Sequence, residues 1–175
     1  MISIRKLTIL FVSTVLAFTL FACSGAEQKK AQHMQKGDQY FAEGNYEKAS
    51  VEYKNVLQID NKDAKAYYAN GKALEKMQDF RGAVGFYLKA VELDPNYSEA
   101  MFSLGRIYLL ANVLDKASEM ADKALAVNPK DASAMALRGA VKARQGDMDA
   151  AMKDALEAQR IAPANTDAVA LLAGL

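Results

Sequence analysis

The side chains that most often carry out chemistry are scarce in this chain of 175 residues. Cys23 is its single cysteine and His33 its single histidine. One residue of each kind excludes a Cys/His metal cluster, a Cys/His nucleophile pair and an internal disulfide. His33 has no partner at the spacing of a catalytic motif, and the glycines do not form a phosphate-binding loop. We therefore expect no enzyme, no cofactor, no metal and no small-molecule substrate.

Cys23 ends a segment that is typical of an export signal. Arg5 and Lys6 precede an apolar run over residues 7–22. The run is short for a helix that spans a bilayer, which takes about 20 residues, and it suits the apolar core of a signal peptide. From these features alone, Cys23 is an acylation site, a plain thiol near a conventional cleavage site, or part of an uncleaved anchor.

The residues around this cysteine carry a family resemblance. Residues 20–23, Leu-Phe-Ala-Cys, resemble the lipobox of bacterial lipoproteins. The resemblance implies that residues 1–22 are a signal peptide and that acyl chains on Cys23 hold the protein on a membrane. By the family's sorting rule, Ser24 implies the outer membrane of the cell envelope, facing the periplasm. Residues 23–31 are then the lipidated cysteine and a short polar tether.

The rest of the chain is organised by a 34-residue period. Two series keep this step, Gly37, Gly71, Gly105 and Gly139, and Ala49, Ala83, Ala117 and Ala151; Pro95, Pro129 and Pro163 follow it as well. Several residue types in one register, with no insertion, are typical of a tandem structural repeat. Apolar residues at helical spacing between these positions predict a pair of helices in each unit. The predicted units are 30–63, 64–97, 98–131 and 132–165, and residues 166–175 begin a fifth.

Short signals mark the ends of the predicted helices. Position 15 of the four units is Gly44, Gln78, Asn112 and Gly146. Glycine and asparagine tolerate the left-handed conformation that ends a helix. Asp94 before Pro95 and Asn128 before Pro129 predict helices that start there, with an N-cap residue directly ahead of a proline at the first helical position.

A unit with Gly at position 8, Ala at 20, an aromatic residue at 24, Ala at 27 and Pro at 32 resembles the tetratricopeptide repeat, or TPR. The resemblance covers residues 30–165 and implies an all-α solenoid of antiparallel helix pairs. The fourth unit departs most from the pattern, with Lys142 at position 11 and Ala155 at position 24, so we expect the loosest packing there. The apolar residues 170–175 either pack inward as a short helix or, as we favour, belong to a longer array.

The TPR resemblance implies a concave groove lined by the first helix of each unit. The residues predicted to bind a partner there are Met34, Phe41, Tyr68, Lys72, Lys76, Phe102, Arg106 and Leu109. Apolar and aromatic anchors beside lysine and arginine suit an extended or helical peptide with some acidic character. The alternative is that several of these side chains pack against neighbouring helices. A formal net charge of +1 does not indicate a nucleic-acid partner.

One known binding mode is excluded within the resemblance. TPR proteins that hold a chaperone's terminal carboxylate use lysine and asparagine at set positions, where this chain has Met34, Asp38, Ala69, Glu99 and Ser103. Asp38 and Glu99 would repel a carboxylate.

Residues 33–68, directly behind the lipobox, resemble the TPR lipoprotein of the PEP-CTERM protein-sorting and exopolysaccharide system. This resemblance implies an envelope scaffold in polysaccharide export or surface-protein sorting. The alternatives are a scaffold lipoprotein for pilus assembly or for peptidoglycan enzymes, and a periplasmic chaperone for exported polypeptides.

Overall fold

The computed structural model describes residues 25–175; the predicted signal peptide, Cys23 and Ser24 lie outside the described residues. The described part consists of nine helices and has no strand. They are α1 (25–42), α2 (Tyr46–Ile59), α3 (Ala64–Lys76), α4 (Phe80–Leu93), α5 (Ser98–Leu110), α6 (Leu114–Val127), α7 (Ala132–Gln145), α8 (Met148–Ile161) and α9 (Thr166–Gly174). The prediction of an all-α solenoid is confirmed. From residue 25 onward, no helix has both the length and the apolar character needed to cross a membrane.

The helices form two layers. From α2 onward, each helix packs against the next one in the chain, and α5 also contacts α7 as α7 contacts α9. The odd-numbered helices α3, α5, α7 and α9 start 34 residues apart and form the inner layer, while the even-numbered helices form the outer layer. Because of the repeat period, one face of the molecule is formed by the inner helices alone.

Position 15 ends the first helix of each unit by the same backbone conformation. The φ angles are +77° at Gly44 and +89° at Gly146, and they are +63° at Gln78 and +58° at Asn112. The left-handed conformation was predicted for the glycines and the asparagine. Gln78 adopts it as well, although its side chain does not favour it, because the position in the repeat imposes the turn.

The predicted helix starts at Asp94 and Asn128 are wrong. Asn128 is the C-cap of α6, and α7 begins at Ala132. Asp94 is instead the C-cap of α4, and its backbone is extended, as expected for a residue before a proline. Its carboxylate accepts a hydrogen bond from the backbone N–H of Asn96 at 3.0 Å and forms a tight turn. Helix α5 begins at Ser98, three residues after Pro95, so this proline ends one helix and does not open the next.

Two kinds of side chain cover the glycine at position 8. A β-carbon added at Gly71 would lie 2.6 Å from the ring of Tyr87, which belongs to the same unit. A β-carbon added at Gly105 would lie 2.6 Å from Cδ2 of Leu137, which belongs to the following unit. The first kind recurs at Gly37 with Tyr53, and the second at Gly139 with Leu171.

The two kinds follow an exchange of volume between two repeat positions. Position 24 is Tyr53, Tyr87, Ala121 and Ala155 in the four units, and position 6 of the following units is Ala69, Ser103, Leu137 and Leu171. A large residue at one position accompanies a small residue at the other in every case. The space over the glycine is therefore filled at each junction, as close packing of the interior requires.

Charged side chains join the two helices of the fourth unit. Asp154 of α8 is 5% exposed and accepts two hydrogen bonds from Arg138 of α7, both at 2.8 Å. Lys142, also on α7, lies 3.0 Å from the same carboxylate. The loose packing expected from Lys142 and Ala155 is wrong: Ala155 is fully buried, Lys142 pairs with the buried Asp154, and α7 and α8 contact each other as extensively as α3 and α4 do.

Candidate functional site

Most of the predicted groove residues lie together on the inner layer. A recess of about 230 Å³, which we call the front recess, is lined by Phe41, Tyr68, Lys72, Glu75, Lys76, Tyr87, Phe102, Ser103 and Arg106. It includes six of the eight predicted residues. Leu109 lies further along the same layer. Met34 lines neither this recess nor the next one and packs against a buried cluster formed by Ala49, Tyr53, Ala69 and Ala73.

Aromatic rings form the floor of the front recess and hold two cations above it. The ammonium of Lys72 lies 5.2 Å from the ring centroid of Phe41 and 5.0 Å from that of Tyr68. The guanidinium of Arg106 lies 5.9 Å from the ring centroid of Phe102. Such contacts restrict the positions of both cations relative to the floor.

A hydrogen-bond network fixes one carboxylate beside these cations. The hydroxyl of Tyr87, whose side chain is fully buried, donates to Oε2 of Glu75 at 2.8 Å. The other oxygen, Oε1, pairs with the guanidinium of Arg106. Burial, together with the hydrogen bond to this carboxylate, raises the pKa of Tyr87, so the phenol stays protonated and remains a donor. Each oxygen of Glu75 thus has one partner in the protein.

Two lysines of the front recess have no negatively charged partner within residues 25–175. Lys72 is half-buried and Lys76 is exposed. Among residues 25–175, neither forms an ion pair. Glu75 would be the ordinary partner of Lys72, since the two residues are three positions apart and lie on one face of the helix. Its engagement with Tyr87 and Arg106 leaves the two ammonium groups available to a ligand.

A second recess continues the groove toward the end of the chain. This rear recess, of about 280 Å³, is lined by Phe102, Arg106, Leu109, Ala136, Leu137, Ala140, Asp167, Ala170 and Leu171. Phe102 and Arg106 line both recesses, so the groove is continuous. The rear recess is apolar apart from Arg106 and Asp167.

Sequence reasoning missed the Glu75 network and the rear recess. The network depends on a tyrosine that reaches through the core, and the first unit repeats the arrangement, with the hydroxyl of Tyr53 donating to Asp38 at 2.8 Å. A signal for the rear recess was present in the sequence. Positions 5 and 9 carry large side chains in the second and third units and only Ala136 and Ala140 in the fourth.

The single histidine makes a contact between helices. Nδ1 of His33 on α1 lies 2.6 Å from Oε2 of Glu52 on α2. Within the described range, no group of three or more His, Cys, Asp or Glu side chains is arranged to hold a metal ion.

Comparison with known families identifies the repeat. A family model described as "TPR repeat" matches residues 37–78, and two models described as "Tetratricopeptide repeat" match residues 74–141 and 132–165. Together the three matches run from residue 37 to residue 165. The chain is a TPR protein. TPR proteins are in general scaffolds for protein–protein interactions.

Individual relatives support the same fold. The crystal structure of MamA is 25% identical and superimposes with a TM-score of 0.70, covering 75% of this chain and 77% of that one. Human tetratricopeptide repeat protein 12 is 34% identical over 97 residues, which cover 55% of this chain and 14% of that protein. The Hsp70-Hsp90 organizing protein 1 of Glycine max is 27% identical over 97 residues, covering 55% of this chain and 17% of that protein. This TPR chain thus spans less than a fifth of the length of these two curated relatives.

Proposed function

We propose that this TPR protein is a scaffold anchored to a membrane of the bacterial cell envelope, where it holds a protein or peptide partner in its concave groove. The continuous groove carries the binding half of the proposal. Its aromatic floor, positioned cations and apolar rear recess suit a peptide that inserts side chains at several points. The lipobox-like residues 20–23 support the anchoring half, with Cys23 as the acylated residue.

The cellular process is proposed from the resemblance of residues 33–68 to the TPR lipoprotein of the PEP-CTERM and exopolysaccharide system. In this proposal, the protein faces the periplasm from the outer membrane and organises components of polysaccharide export or protein sorting. A scaffold of this kind binds a fixed partner in a fixed ratio. A periplasmic chaperone would instead bind many unfolded polypeptides.

Photo-cross-linking in cells tests the groove. A photoreactive amino acid at Tyr68 or Phe102 is expected to yield one cross-linked product of constant stoichiometry. The same group at Val51, which is 57% exposed on the outer helix α2, is the control and is expected not to yield it. Replacing both groove residues by alanine is expected to abolish capture of that partner while leaving the helical content unchanged. A heterogeneous ladder of products from the groove would favour the chaperone, and products from Val51 alone would contradict groove binding.

Membrane fractionation tests the anchor independently of the groove. Cys23→Ala is expected to remove acyl labelling and to release the protein from the membrane fraction. An unchanged distribution would contradict anchoring through this residue. Ser24→Asp is expected to move the acylated protein from the outer to the inner membrane, as the family's sorting rule implies. If it stays in place, the proposed sorting is wrong while the anchor stands.

A further inference from the structure

We propose that the groove selects peptides that carry an acidic side chain and, about five residues away, an aliphatic side chain. In this assignment, Lys72 and Lys76 bind the acidic group, and the rear recess receives the aliphatic one. The inference rests on the proposed function, because it assigns the chemistry of the partner that occupies the same groove.

The acidic preference follows from the ammonium of Lys72, which is held between two aromatic rings and pairs with no carboxylate of residues 25–175. Lys72 is half-buried between the rings of Phe41 and Tyr68, at 5.2 and 5.0 Å from their centroids. A cation removed from water in this way is stabilised by a carboxylate that forms charge-assisted hydrogen bonds with it. Within the described part of the chain, no carboxylate pairs with this ammonium; Glu75, three positions along α3, pairs with Tyr87 and Arg106 instead.

The second lysine makes the site suitable for a carboxylate from outside. Lys76 lies one helical turn beyond Lys72 on α3 and lines the same front recess. Two ammonium groups on one helix face can bind the two oxygens of one carboxylate or two neighbouring acidic side chains. A basic peptide would meet repulsion from both.

The aliphatic preference follows from the side chains that the fourth unit lacks. Ala136 and Ala140 stand at positions that carry Phe102 and Arg106 in the third unit. Because the fourth unit lacks the aromatic ring and the guanidinium, space remains beside these alanines. The apolar side chains of Leu137 and Leu171 form walls of that space. An apolar recess of about 280 Å³ gains free energy by burying an aliphatic side chain from a ligand.

The spacing follows from the layer of inner helices. Lys72 lies on α3, and the rear recess is centred on α7, two inner helices further along. Taking about 8–10 Å, the axis separation of packed helices, for each of the two steps gives roughly 16–20 Å between the two sites. An extended peptide covers about 3.3–3.6 Å per residue, and five or six residues span this distance. Phe102 and Arg106 line the path between the two sites.

Selection from a random 12-residue phage-displayed peptide library, with the full chain as target, tests this assignment. The enriched peptides are expected to share an Asp or Glu with a Leu, Ile or Met four to seven positions away. The double variant Lys72→Glu, Lys76→Glu is expected to lose the acidic residue from its selected peptides and to keep the aliphatic one. Ala140→Trp, which fills the rear recess, is expected to lose the aliphatic residue from its selected peptides and to keep the acidic one.

Two controls separate specific recognition from general charge and packing effects. The double variant Lys54→Glu, Lys153→Glu changes the net charge equally on the outer helices α2 and α8, and it is expected to select the same peptides as the unaltered chain. Tyr87→Phe frees Oε2 of Glu75 to pair with Lys72. It is expected to weaken binding of the acidic peptides several-fold while leaving selection for the aliphatic residue unchanged.

The outcomes distinguish this inference from the proposed function. Peptides that bind in the groove without an acidic residue, or whose acidic residue survives charge reversal at Lys72 and Lys76, would overturn the inference and leave the groove as a peptide site. Failure to enrich any peptide on a folded chain would overturn both. Folding is checked for each variant by circular dichroism and thermal unfolding.

Discussion

The ring of Tyr87 lies where the β-carbon of any larger residue at position 71 would be, because a β-carbon added at Gly71 would lie 2.6 Å from it. This pair sets how closely α3 and α4 approach. The ring cannot move aside easily, since Tyr87 is fully buried and its hydroxyl is held by Glu75. We expect Gly71→Ala to lower the free energy of unfolding by about 1–3 kcal/mol through overpacking, measured by urea denaturation.

The matched control for this substitution is Gly85. It is also a glycine inside a helix, but it is exposed on α4 and a β-carbon added there meets no atom within 4 Å. Gly85→Ala is expected to raise the free energy of unfolding by about 0.5–1 kcal/mol, because alanine loses less backbone entropy in a helix than glycine does. Equal effects of the two substitutions would contradict the role assigned to the Tyr87 contact.

The exchange of volume between repeat positions 24 and 6 can be tested at the third junction. Leu137→Ala empties the space over Gly105 and is expected to cost about 2–5 kcal/mol. Ala121→Tyr in the same chain recreates the arrangement of the first two units, where a tyrosine covers the glycine. The double variant is therefore expected to be more stable than the sum of the two single changes predicts, as shown by a double-mutant cycle. Additive effects would mean that the two positions do not share one space.

The sequence and the structure agree where a feature depends on one repeat position and differ where it depends on two units. The 34-residue period predicted the helix pairs, and the glycines and the asparagine at position 15 predicted the left-handed turns there, because each feature lies within one unit. The covering of Gly105 by Leu137 was not predicted, since it requires a side chain from the next unit.

The same limit applies to the groove. The repeat register predicted which side chains line the front recess, and six of eight do so. It did not predict that Glu75 pairs with Tyr87 and Arg106, because that depends on a tyrosine hydroxyl from the outer layer and an arginine from another unit. The start of α5 was misplaced for a related reason: Pro95 belongs to a turn whose length the proline alone does not determine.

Asn70 is expected to cost the protein stability. It is fully buried, and neither its amide nitrogen nor its amide oxygen has a hydrogen-bond partner within residues 25–175. Leu104 stands at the same repeat position in the next unit and is fully buried too. Asn70→Leu is therefore expected to raise the free energy of unfolding by about 1–3 kcal/mol, since it removes an unpaired polar group and keeps a similar volume. Leu104→Asn is the reverse control and is expected to destabilise; a loss of stability in both variants would contradict this account.

The ion cluster of the fourth unit is expected to make stability depend on acid pH. Burial acts to raise the pKa of Asp154, but hydrogen bonds from Arg138 and Lys142 outweigh it and hold the pKa below its ordinary value. A carboxylate with a lowered pKa in the folded state contributes stability above its unfolded pKa of about 3.9, and loses it as the pH falls through the lower, folded value. Protonation of Asp154 in strong acid thus removes part of the link between α7 and α8.

Asp154→Asn is the substitution that tests this dependence. At pH 7 it is expected to lower the free energy of unfolding by roughly 1–3 kcal/mol, because Arg138 and Lys142 lose their buried partner. The difference between the variant and the unaltered chain is expected to shrink between pH 4 and pH 2, measured by urea denaturation at each pH. Glu157→Gln is the control, since the pKa of Glu157 is also lowered, by Arg160, but the pair is exposed and screened by water. A difference for Asp154→Asn that stays constant down to pH 2 would show that the carboxylate charge does not hold these two helices together.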